Sequence, residues 1–234
     1  MTEQETREQL AAVYRLLNHY GWDDLVYTHV SAKIHGTNHF LINQFGLLFS
    51  EVTASNLVKV DINGNVISGG VINPAGFLVH SSIHEARPDV MCAIHTHTKE
   101  GVAVSVDKRG LWPISQTAMI IINNLSYHNY CGLILNNSEK ELLKQSLSSN
   151  NFMILRNHGL LTVGESIGDT FLNMRRLQNA CEVQVLCDHD NSIMITPAVI
   201  DDNKQMIRFL NSRNDIPWNA LLRIVRTQYP DYKN

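Results

Sequence analysis

The sequence predicts an α/β domain with a mixed sheet. Amphipathic segments that begin with helix-capping residues alternate with short apolar segments of strand length, which is typical of α/β domains. In addition, Asn63 and Gly64 separate residues 58–62 from residues 66–67, and Asn-Gly is the strongest short-range signal for a two-residue hairpin. Because a hairpin joins antiparallel strands, a purely parallel sheet is disfavoured.

The chain begins with a predicted helix. Thr2 and Glu5 have the spacing of a capping box, in which each side chain accepts a hydrogen bond from the backbone N–H of the other residue. Apolar residues then recur at helical spacing over residues 10–17, and Gly21 ends the helix.

Two strands are expected next. Residues 25–35 alternate sufficiently to form a strand, with Thr28, His29 and Ser31 exposed near its start. Residues 40–42 are its expected hairpin partner. The hairpin around Asn63 and Gly64 follows.

A second helix is predicted after Asn73. Asn73 is a good N-cap, and Pro74 suits the first helical position because its fixed φ matches the helix. This helix carries His80 and His84 along one side and ends before Pro88, since proline disfavours helical backbone at the residue before it.

The second half of the chain contains two further capped helices. Ser138 opens one that packs through Leu142, Leu143 and Leu147, and Ser166 opens the longest one. The residues of the longest helix that are predicted to face inward are Ile167, Phe171, Met174, Leu177, Cys181 and Val185. We therefore predict one domain over residues 1–234, with a C-terminal helical extension from about residue 197.

Composition excludes several classes of function. The 234 residues are 44% hydrophobic, enough for one large core, and the net charge is only −3 with scattered lysines and arginines. We therefore expect neither a nucleic-acid nor a membrane partner, and no apolar run reaches 18 residues. The polar N-terminus and four cysteines without a C-x-x-C pair indicate a reduced, cytoplasmic protein.

The most informative motif is His95-Thr96-His97. The apolar residues 91–94 predict a buried strand, and residues two apart share one face of a strand, about 6–7 Å apart along the backbone. Two such imidazoles can bind one metal ion at about 2.0–2.1 Å. The alternative is that they are polar residues at a strand end, hydrogen-bonded to their neighbours. A metal site needs a further ligand, and His158, in a loop after an apolar strand at residues 152–155, is the candidate.

Together these motifs resemble the class II aldolase/adducin family over about residues 8–190. The resemblance rests on His95-Thr96-His97, on the Arg-Asn-His-Gly of residues 156–159 and on the Gly-Glu-Ser of residues 164–166. Residues 45–55 and 73–77 are similar to the adducin-like branch. The resemblance implies a three-layer α/β/α fold with a central, mostly antiparallel sheet, and a homo-oligomer, with a tetramer favoured.

The resemblance also implies a metal site. His95, His97 and His158 match the three zinc-binding histidines of the family, with Mn²⁺, Co²⁺ or Fe²⁺ as alternatives to Zn²⁺. Three neutral imidazoles leave a coordination position open for a small-molecule substrate, where the ion acts as a Lewis acid. The alternative is that the three histidines form a hydrogen-bonded structural cluster.

The sequence departs from the aldolases at two places. Gly76 stands where the family has its general acid/base glutamate, and glycine cannot transfer a proton. Residues 28–29, 45–46 and 74–75 replace the phosphate-binding Gly-Asn, Ser-Gly and Ser-Ser pairs of the aldolases. A phosphorylated substrate is therefore disfavoured.

Three residues are candidates for the missing proton-transfer group. His29 is the first, because an imidazole has an unperturbed pKa of about 6.5. Glu51 is the second, although it could simply cap the segment after it. His128 is the third; it lies in residues 127–132, which resemble an adducin-like motif and either line the pocket from a neighbouring subunit or pack an edge. We expect His80 to support the metal ligands.

These observations give three hypotheses. The first is a metal-dependent lyase that acts on a small hydroxy-carbonyl or carboxylated substrate, by retro-aldol cleavage or decarboxylation through a stabilised enolate. The second is a non-catalytic, adducin-head-like protein that uses the fold for binding or assembly. The third is a sugar-phosphate epimerase, against which the altered phosphate-binding pairs argue.

Overall fold

The computed structural model describes residues 1–132 and 137–234. The strands are β1 (His29–Lys33), β2 (His39–Ile42), β3 (Val58–Asp61), β4 (Val66–Ser68), β5 (Cys92–Thr96), β6 (Leu125–His128), β7 (Phe152–Leu155) and β8 (Gly159–Gly164). The α-helices are α1 (Glu3–His19), α2 (Pro74–Ala86), α3 (Lys99–Ser105), α4 (Gln116–Ile121), α5 (Asn137–Leu147), α6 (Ile167–Val185), α7 (Pro197–Asp202), α8 (Lys204–Asn211) and α9 (Asp215–Gln228).

The strands of the described residues form one sheet in the order β4-β3-β2-β1-β5-β8-β7-β6. All neighbouring pairs are antiparallel except β6 and β7, which are parallel. The mostly antiparallel sheet that we predicted is thus confirmed. The order also makes β1, β5 and β8 adjacent central strands, so their ends can contribute side chains to one site.

Helices cover both faces of the sheet and complete the three layers. Cys92 and Ile94 of β5 belong to a buried cluster that includes residues of α1, α6 and α9. Ala93, which points to the opposite face, packs in a second cluster with Val79 of α2 and Leu143 of α5. The α/β/α architecture is confirmed. The packing of α9 on the larger core is consistent with the single domain that we predict.

The capping residues act as expected. The Thr2 hydroxyl accepts a hydrogen bond from the Glu5 N–H at 3.2 Å, and the Glu5 carboxylate accepts one from the Thr2 N–H at 2.7 Å. Asn73 caps α2 by accepting from the Ala75 N–H at 3.0 Å, with Pro74 in the first turn. Both helix starts are therefore set by local sequence.

The first strand is shorter and more buried than predicted. It begins at His29 because Leu25 adopts a positive φ of 49° and residues 25–26 form a turn. Thr28, His29 and Ser31 are buried, so the prediction that they are exposed is wrong. The reason is the position of β1, which lies between β2 and β5 in the interior of a sheet with helices on both faces.

Other differences concern helix faces and missed strands. Leu142 and Val185 were predicted to face inward, but they are 45% and 43% exposed. Helix α5 already begins at Asn137, so Ser138 lies in its first turn instead of before it. Strands β6 and β8 were not predicted from the sequence. In the described part of the chain, we find no helix both long and apolar enough to span a membrane.

Candidate metal centre

The three predicted ligands come together at one end of the central strands. His95 lies on β5, His97 follows the end of β5, and His158 lies in the turn between β7 and β8. The Nε2 atoms of His95 and His97 are 2.8 Å apart, and those of His97 and His158 are 3.0 Å apart. The convergence follows from the register of the antiparallel pair β5–β8, in which Thr96 lies opposite Leu160.

A glycine allows this close approach of the two strand ends. A Cβ atom at Gly159 would lie 2.3 Å from the carbonyl oxygen of Thr96, a distance that no side chain tolerates. Asn157, two residues earlier, has a positive φ of 57°, which asparagine adopts more readily than most residues. The Asn-His-Gly sequence therefore places His158 beside His95 and His97 for steric reasons.

Hydrogen bonds fix the tautomers of two of the rings. His95 Nδ1 lies 2.9 Å from the carbonyl oxygen of Leu160, and His97 Nδ1 lies 2.9 Å from Oδ2 of Asp24. A carbonyl and a carboxylate can only accept, so each Nδ1 carries the proton and donates it. Each Nε2 is then left with a lone pair that points into the cluster.

This donor set suits a metal cation. Lone pairs on His95 and His97 that face each other at 2.8 Å repel unless a positive charge lies between them. Protonation is opposed, because burial, followed by the nearby His97, holds the pKa of His95 well below its ordinary value and lowers that of His158 to about 4. Neutral imidazoles that donate their second N–H to a carbonyl or carboxylate are the usual metal-binding arrangement. The three histidines could therefore hold one metal ion.

The three histidines line a pocket of about 550 Å³, which we call the histidine pocket. Its wall also includes Asp24, Tyr27, Asn73, Val79, Val102 and Tyr130. Tyr130 and Gly132 thus line the pocket of their own chain, and the Tyr130 ring lies 6.4 Å from that of His158. The volume is within the range of small-molecule sites.

His29 is the predicted proton-transfer residue that the structure brings to this pocket. It lies opposite His95 in the β1–β5 pair, and the two ring centres are 5.1 Å apart. Burial, followed by the nearby His80, holds the pKa of His29 well below its usual value, so the ring is neutral. His29 therefore borders both the pocket and the metal ligands.

His29 also accounts for the glycine at position 76. A Cβ atom on Gly76 would lie 2.6 Å from Cδ2 of the His29 ring, so the imidazole occupies the space that any side chain at position 76 would need. The glycine at position 76 and the imidazole at position 29 are therefore linked by packing.

The other two candidates lie elsewhere. The exposed Glu51 is not among the residues of the histidine pocket, and its carboxylate accepts a hydrogen bond from the Leu48 N–H at 2.8 Å, which is a capping role. His128 is buried beside the pocket, with Nδ1 2.9 Å from the hydroxyl of Ser146, and burial lowers its pKa. His128 and His158 both border a small cleft next to the histidine pocket.

Sequence reasoning missed Asp24 and Tyr27. Asp24 is 73 residues from His97 in the chain, and the turn before β1 brings them together. No spacing or motif in the sequence predicts that contact. Asn73 was predicted only as a helix cap, but its position at the start of α2 also places it in the pocket wall.

Comparison with known proteins identifies the family. The family model described as "Class II Aldolase and Adducin N-terminal domain" matches residues 8–185. The chain belongs to the class II aldolase/adducin family. The resemblance that the motifs indicated is thereby confirmed.

The similar proteins include both a protein named as a class 2 aldolase and an adducin. A Pseudomonas aeruginosa protein named "Putative aldolase class 2 protein" is 49% identical, over 99% of this chain and 93% of its own length. Alpha-adducin of Rattus norvegicus is 43% identical over 83% of this chain, but the match covers only 28% of that longer protein.

Solved structures of the family agree with the fold. An aldolase II superfamily protein from Pseudomonas syringae superposes with a TM-score of 0.96 at 41% identity, covering 100% of this chain and 96% of that one. An L-fuculose 1-phosphate aldolase from Glaciozyma antarctica has a TM-score of 0.83 at 28% identity, covering 97% and 92% of the two chains.

Proposed function

We propose that the protein is a metal-dependent lyase that acts on a small hydroxy-carbonyl or carboxylated substrate. The reaction is retro-aldol cleavage or decarboxylation, and both pass through an enolate. The observation that carries the proposal is the convergence of three imidazole nitrogens at the wall of a pocket that a further, neutral imidazole also borders.

His95, His97 and His158 would hold the ion, which we propose is Zn²⁺, with Mn²⁺, Co²⁺ or Fe²⁺ as alternatives. Class II aldolases typically depend on a divalent metal, and zinc favours imidazole nitrogen with an open position in catalytic sites. A divalent ion in this place supplies a Lewis acid that polarises a carbonyl group and stabilises negative charge on its oxygen. Asp24 and the Leu160 carbonyl orient two of the rings toward the ion.

His29 is the group that we propose moves the proton. Its Nδ1 is hydrogen-bonded to His80, which leaves Nε2 as the nitrogen available to a substrate. In the neutral ring Nε2 can offer a lone pair to a substrate proton, and the lowered pKa makes the protonated ring a ready donor of that proton in the next step. The side chains of Val79 and Val102 form an apolar part of the pocket wall and reduce the access of water to the reacting atoms.

The charge of the pocket favours an unphosphorylated substrate. No lysine or arginine occurs among the pocket-lining residues in the described ranges 1–132 and 137–234. A phosphate dianion would find little compensation there beyond the metal ion itself. This argues against the sugar-phosphate epimerase hypothesis as well.

We also propose that the protein works as a cytoplasmic homo-oligomer, with a tetramer favoured. Members of the family often form oligomers, and this supports the proposal. Sedimentation velocity of the purified chain would test it, and a monomer at micromolar concentration would overturn it.

The activity can be tested by screening. Unphosphorylated hydroxy acids and keto sugars would be incubated with the zinc-loaded protein, and carbon–carbon cleavage would be followed by proton NMR. We expect turnover that chelation abolishes and added metal restores. Silence across a broad panel would favour the second candidate, a non-catalytic binding or assembly protein, which the absence of the acid/base glutamate at Gly76 and the adducin relatives support.

A further inference from the structure

The histidine pocket has apolar side chains around its metal centre. Ala75 and Val79 lie about one turn apart on α2, and Val102 lies on α3. Tyr27 precedes β1, and Tyr130 follows β6. We call these five pocket-lining residues the apolar wall. They come from four separate elements, so the apolar character of the pocket is not visible in any single stretch of the sequence.

The two tyrosines lie on opposite flanks of the metal centre. In the sheet, β1 is next to β5 on one side, while β8, β7 and β6 follow on the other. Because β6 runs in the same direction as β5, the residues after both strands reach the same edge of the sheet, and the Tyr130 ring lies 6.4 Å from that of His158. Tyr27 and Tyr130 are 56% and 52% exposed, so each ring keeps surface that a bound molecule can cover.

Several polar groups of the pocket are already engaged with the protein itself. Asp24 accepts the N–H of His97 at 2.9 Å, and the side-chain oxygen of Asn73 accepts the Ala75 N–H at 3.0 Å. A sugar would bring a hydroxyl group on nearly every carbon, and a hydroxyl that loses water without gaining a partner costs free energy. The apolar wall therefore favours a substrate that is itself apolar away from its reacting end.

The size of the pocket allows such a substrate. Its volume of about 550 Å³ is in the range of sites that bury ligands of drug size. A hydroxy-carbonyl or carboxylate end has only a few atoms, so its binding at the metal centre leaves room for a further group. Contact of that group with the apolar wall would remove apolar surface from water on both sides, which is favourable.

We propose that the substrate carries an apolar group about the size of a phenyl ring next to its hydroxy-carbonyl or carboxylated end. The inference rests on the proposed function, since it names the class of substrate for the same site. Tyr27, Val102 and Tyr130 are then specificity-determining residues, because they contact the part of the substrate that does not react. A short sugar is correspondingly a poor substrate.

The first test compares three hydroxamic acids on the zinc-loaded protein by titration calorimetry. All three share one head group that binds zinc through two oxygen atoms, so differences in affinity come from the group beside it. We expect benzohydroxamate, which carries a phenyl ring, to bind about tenfold or more tightly than acetohydroxamate, which carries a methyl group. D-Gluconohydroxamate, which carries a chain of hydroxyl groups, should bind no better than acetohydroxamate. Equal affinities for phenyl and methyl, or a preference for the polyhydroxylated compound, would overturn the inference.

Variants of the apolar wall locate the preference. We expect Tyr130→Ala and Val102→Ala each to lower the ratio of the phenyl to the methyl affinity by about threefold or more, because each removes apolar contact surface. Tyr130→Phe should keep the ratio, since the ring remains. The matched control is Val106→Ala, because Val106 at the end of α3 is 55% exposed and is not among the pocket-lining residues of the described ranges. An unchanged ratio in both Tyr130→Ala and Val102→Ala, at unchanged zinc content, would overturn the inference.

The second test needs no metal. Metal-free protein with ¹³C-labelled valine methyl groups would be titrated with benzamide, and with acetamide as the control ligand. A phenyl ring shifts the NMR signals of nearby methyl groups through its ring current. We expect benzamide to shift the signals of Val79 and Val102 and to leave those of Val106 in place, and acetamide to shift none of them. Unchanged Val79 and Val102 signals with benzamide would contradict the assignment of the apolar wall.

The outcomes separate the inference from the proposed function. If the protein binds zinc and cleaves keto sugars but does not prefer the phenyl group, the inference is overturned while the proposed function stands. If the protein refuses zinc, the proposed function fails, and the benzamide titration alone decides whether the apolar wall binds such a group. If Tyr130→Ala changes the oligomeric state in sedimentation velocity and leaves the affinity ratio unchanged, the Tyr130 ring belongs to a subunit contact, which also overturns the inference.

Discussion

Two groups of three histidines lie on the same face of the sheet, and their ring nitrogens are satisfied in opposite ways. In the metal centre, Nδ1 of both His95 and His97 donates to an oxygen, so their Nε2 lone pairs meet with no proton between them. In the second group, the histidine row of His29, Ser31, His80 and His84, His29 Nδ1 is hydrogen-bonded to His80 Nε2, and the Ser31 hydroxyl is hydrogen-bonded to His80 Nδ1 and His84 Nε2. The first group could therefore hold a cation, whereas hydrogen bonds between its own members connect the second.

The comparison shows that the hydrogen-bond partner of one ring nitrogen decides whether the other nitrogen presents a lone pair or a proton to the neighbouring rings. Burial lowers the pKa of rings in both groups, to about 3 for His80 and His84 in the row and to about 4 for His158 beside the metal centre. Burial alone therefore does not distinguish a metal site from a hydrogen-bonded row. The oxygens of Asp24 and Leu160 do, because they fix which nitrogen faces the neighbouring rings.

The largest effect, on zinc binding, should come from substituting one histidine of each group in turn. We expect His95→Ala and His158→Ala each to weaken zinc binding by more than about a hundredfold, since losing a direct ligand exceeds the usual 10–100-fold cost of losing a supporting residue. The matched change in the row, His84→Ala, should leave zinc content unchanged. Metal analysis and titration calorimetry would measure this. Unchanged metal content in both ligand variants would show that the ligand assignment is wrong.

The next largest effect concerns the pH dependence of stability that the row contributes. His80 and His84 stay neutral in the folded protein down to a pKa of about 3, whereas in the unfolded chain they take up protons below about 6.5. The unfolded state therefore binds more protons, and the free energy of unfolding falls as the pH falls from about 6.5 toward 3, by up to about 1.4 kcal/mol per pH unit for each ring.

Urea unfolding of the metal-free protein between pH 7 and pH 5 would measure that slope. His84→Gln removes one of the two rings, so its slope should be shallower by about one proton. Equal slopes for the wild-type protein and His84→Gln would contradict the buried, neutral state of His84.

A smaller effect is expected from the carboxylate that supports the metal centre. Asp24→Asn replaces a charged acceptor with an amide, and the loss of such a partner typically costs 10–100-fold in metal affinity. Competition with a chromogenic chelator would measure the change in zinc affinity. Asp23→Asn, next in the chain but bonded to Asn18, is the control and should not change the affinity. Equal affinities for both variants would mean that Asp24 does not orient His97.

The smallest expected change concerns Gly76. A methyl group there would lie 2.6 Å from the His29 ring, so Gly76→Ala should lower the free energy of unfolding by about 1–3 kcal/mol, the usual cost of overpacking. In the background of His29→Ala, the same substitution should cost much less, because the ring is gone. A double-mutant cycle by urea unfolding would measure the coupling. Additive effects would contradict the packing link between the two positions.

The three candidate metal ligands illustrate how much of the site could be predicted from the sequence. The period of a strand was enough to place His95 and His97 on one face, and the turn before Gly159 was enough to place His158 in a loop. That the three meet depends on the pairing of β5 with β8, and β8 was not predicted. From the residues alone His158 was a candidate for the third ligand, and the resemblance to the family supported that choice.

The surroundings of the ligands could not be predicted from local pattern. His29 was predicted to be exposed because its segment alternates, but burial depends on the position of β1 in the sheet. The contact of Asp24 with His97 and that of His29 with Gly76 join residues that are distant in the chain. Such contacts follow from tertiary packing, for which a single sequence contains no periodic signal.

Zinc titration of the chelator-treated wild-type protein tests the central claim most directly. We expect calorimetry to find about one zinc ion per chain, bound through His95, His97 and His158, with loss of binding in His158→Ala. A folded wild-type protein that refuses zinc at neutral pH would contradict it, because the opposed lone pairs of His95 and His97 would then have to be satisfied in some other way.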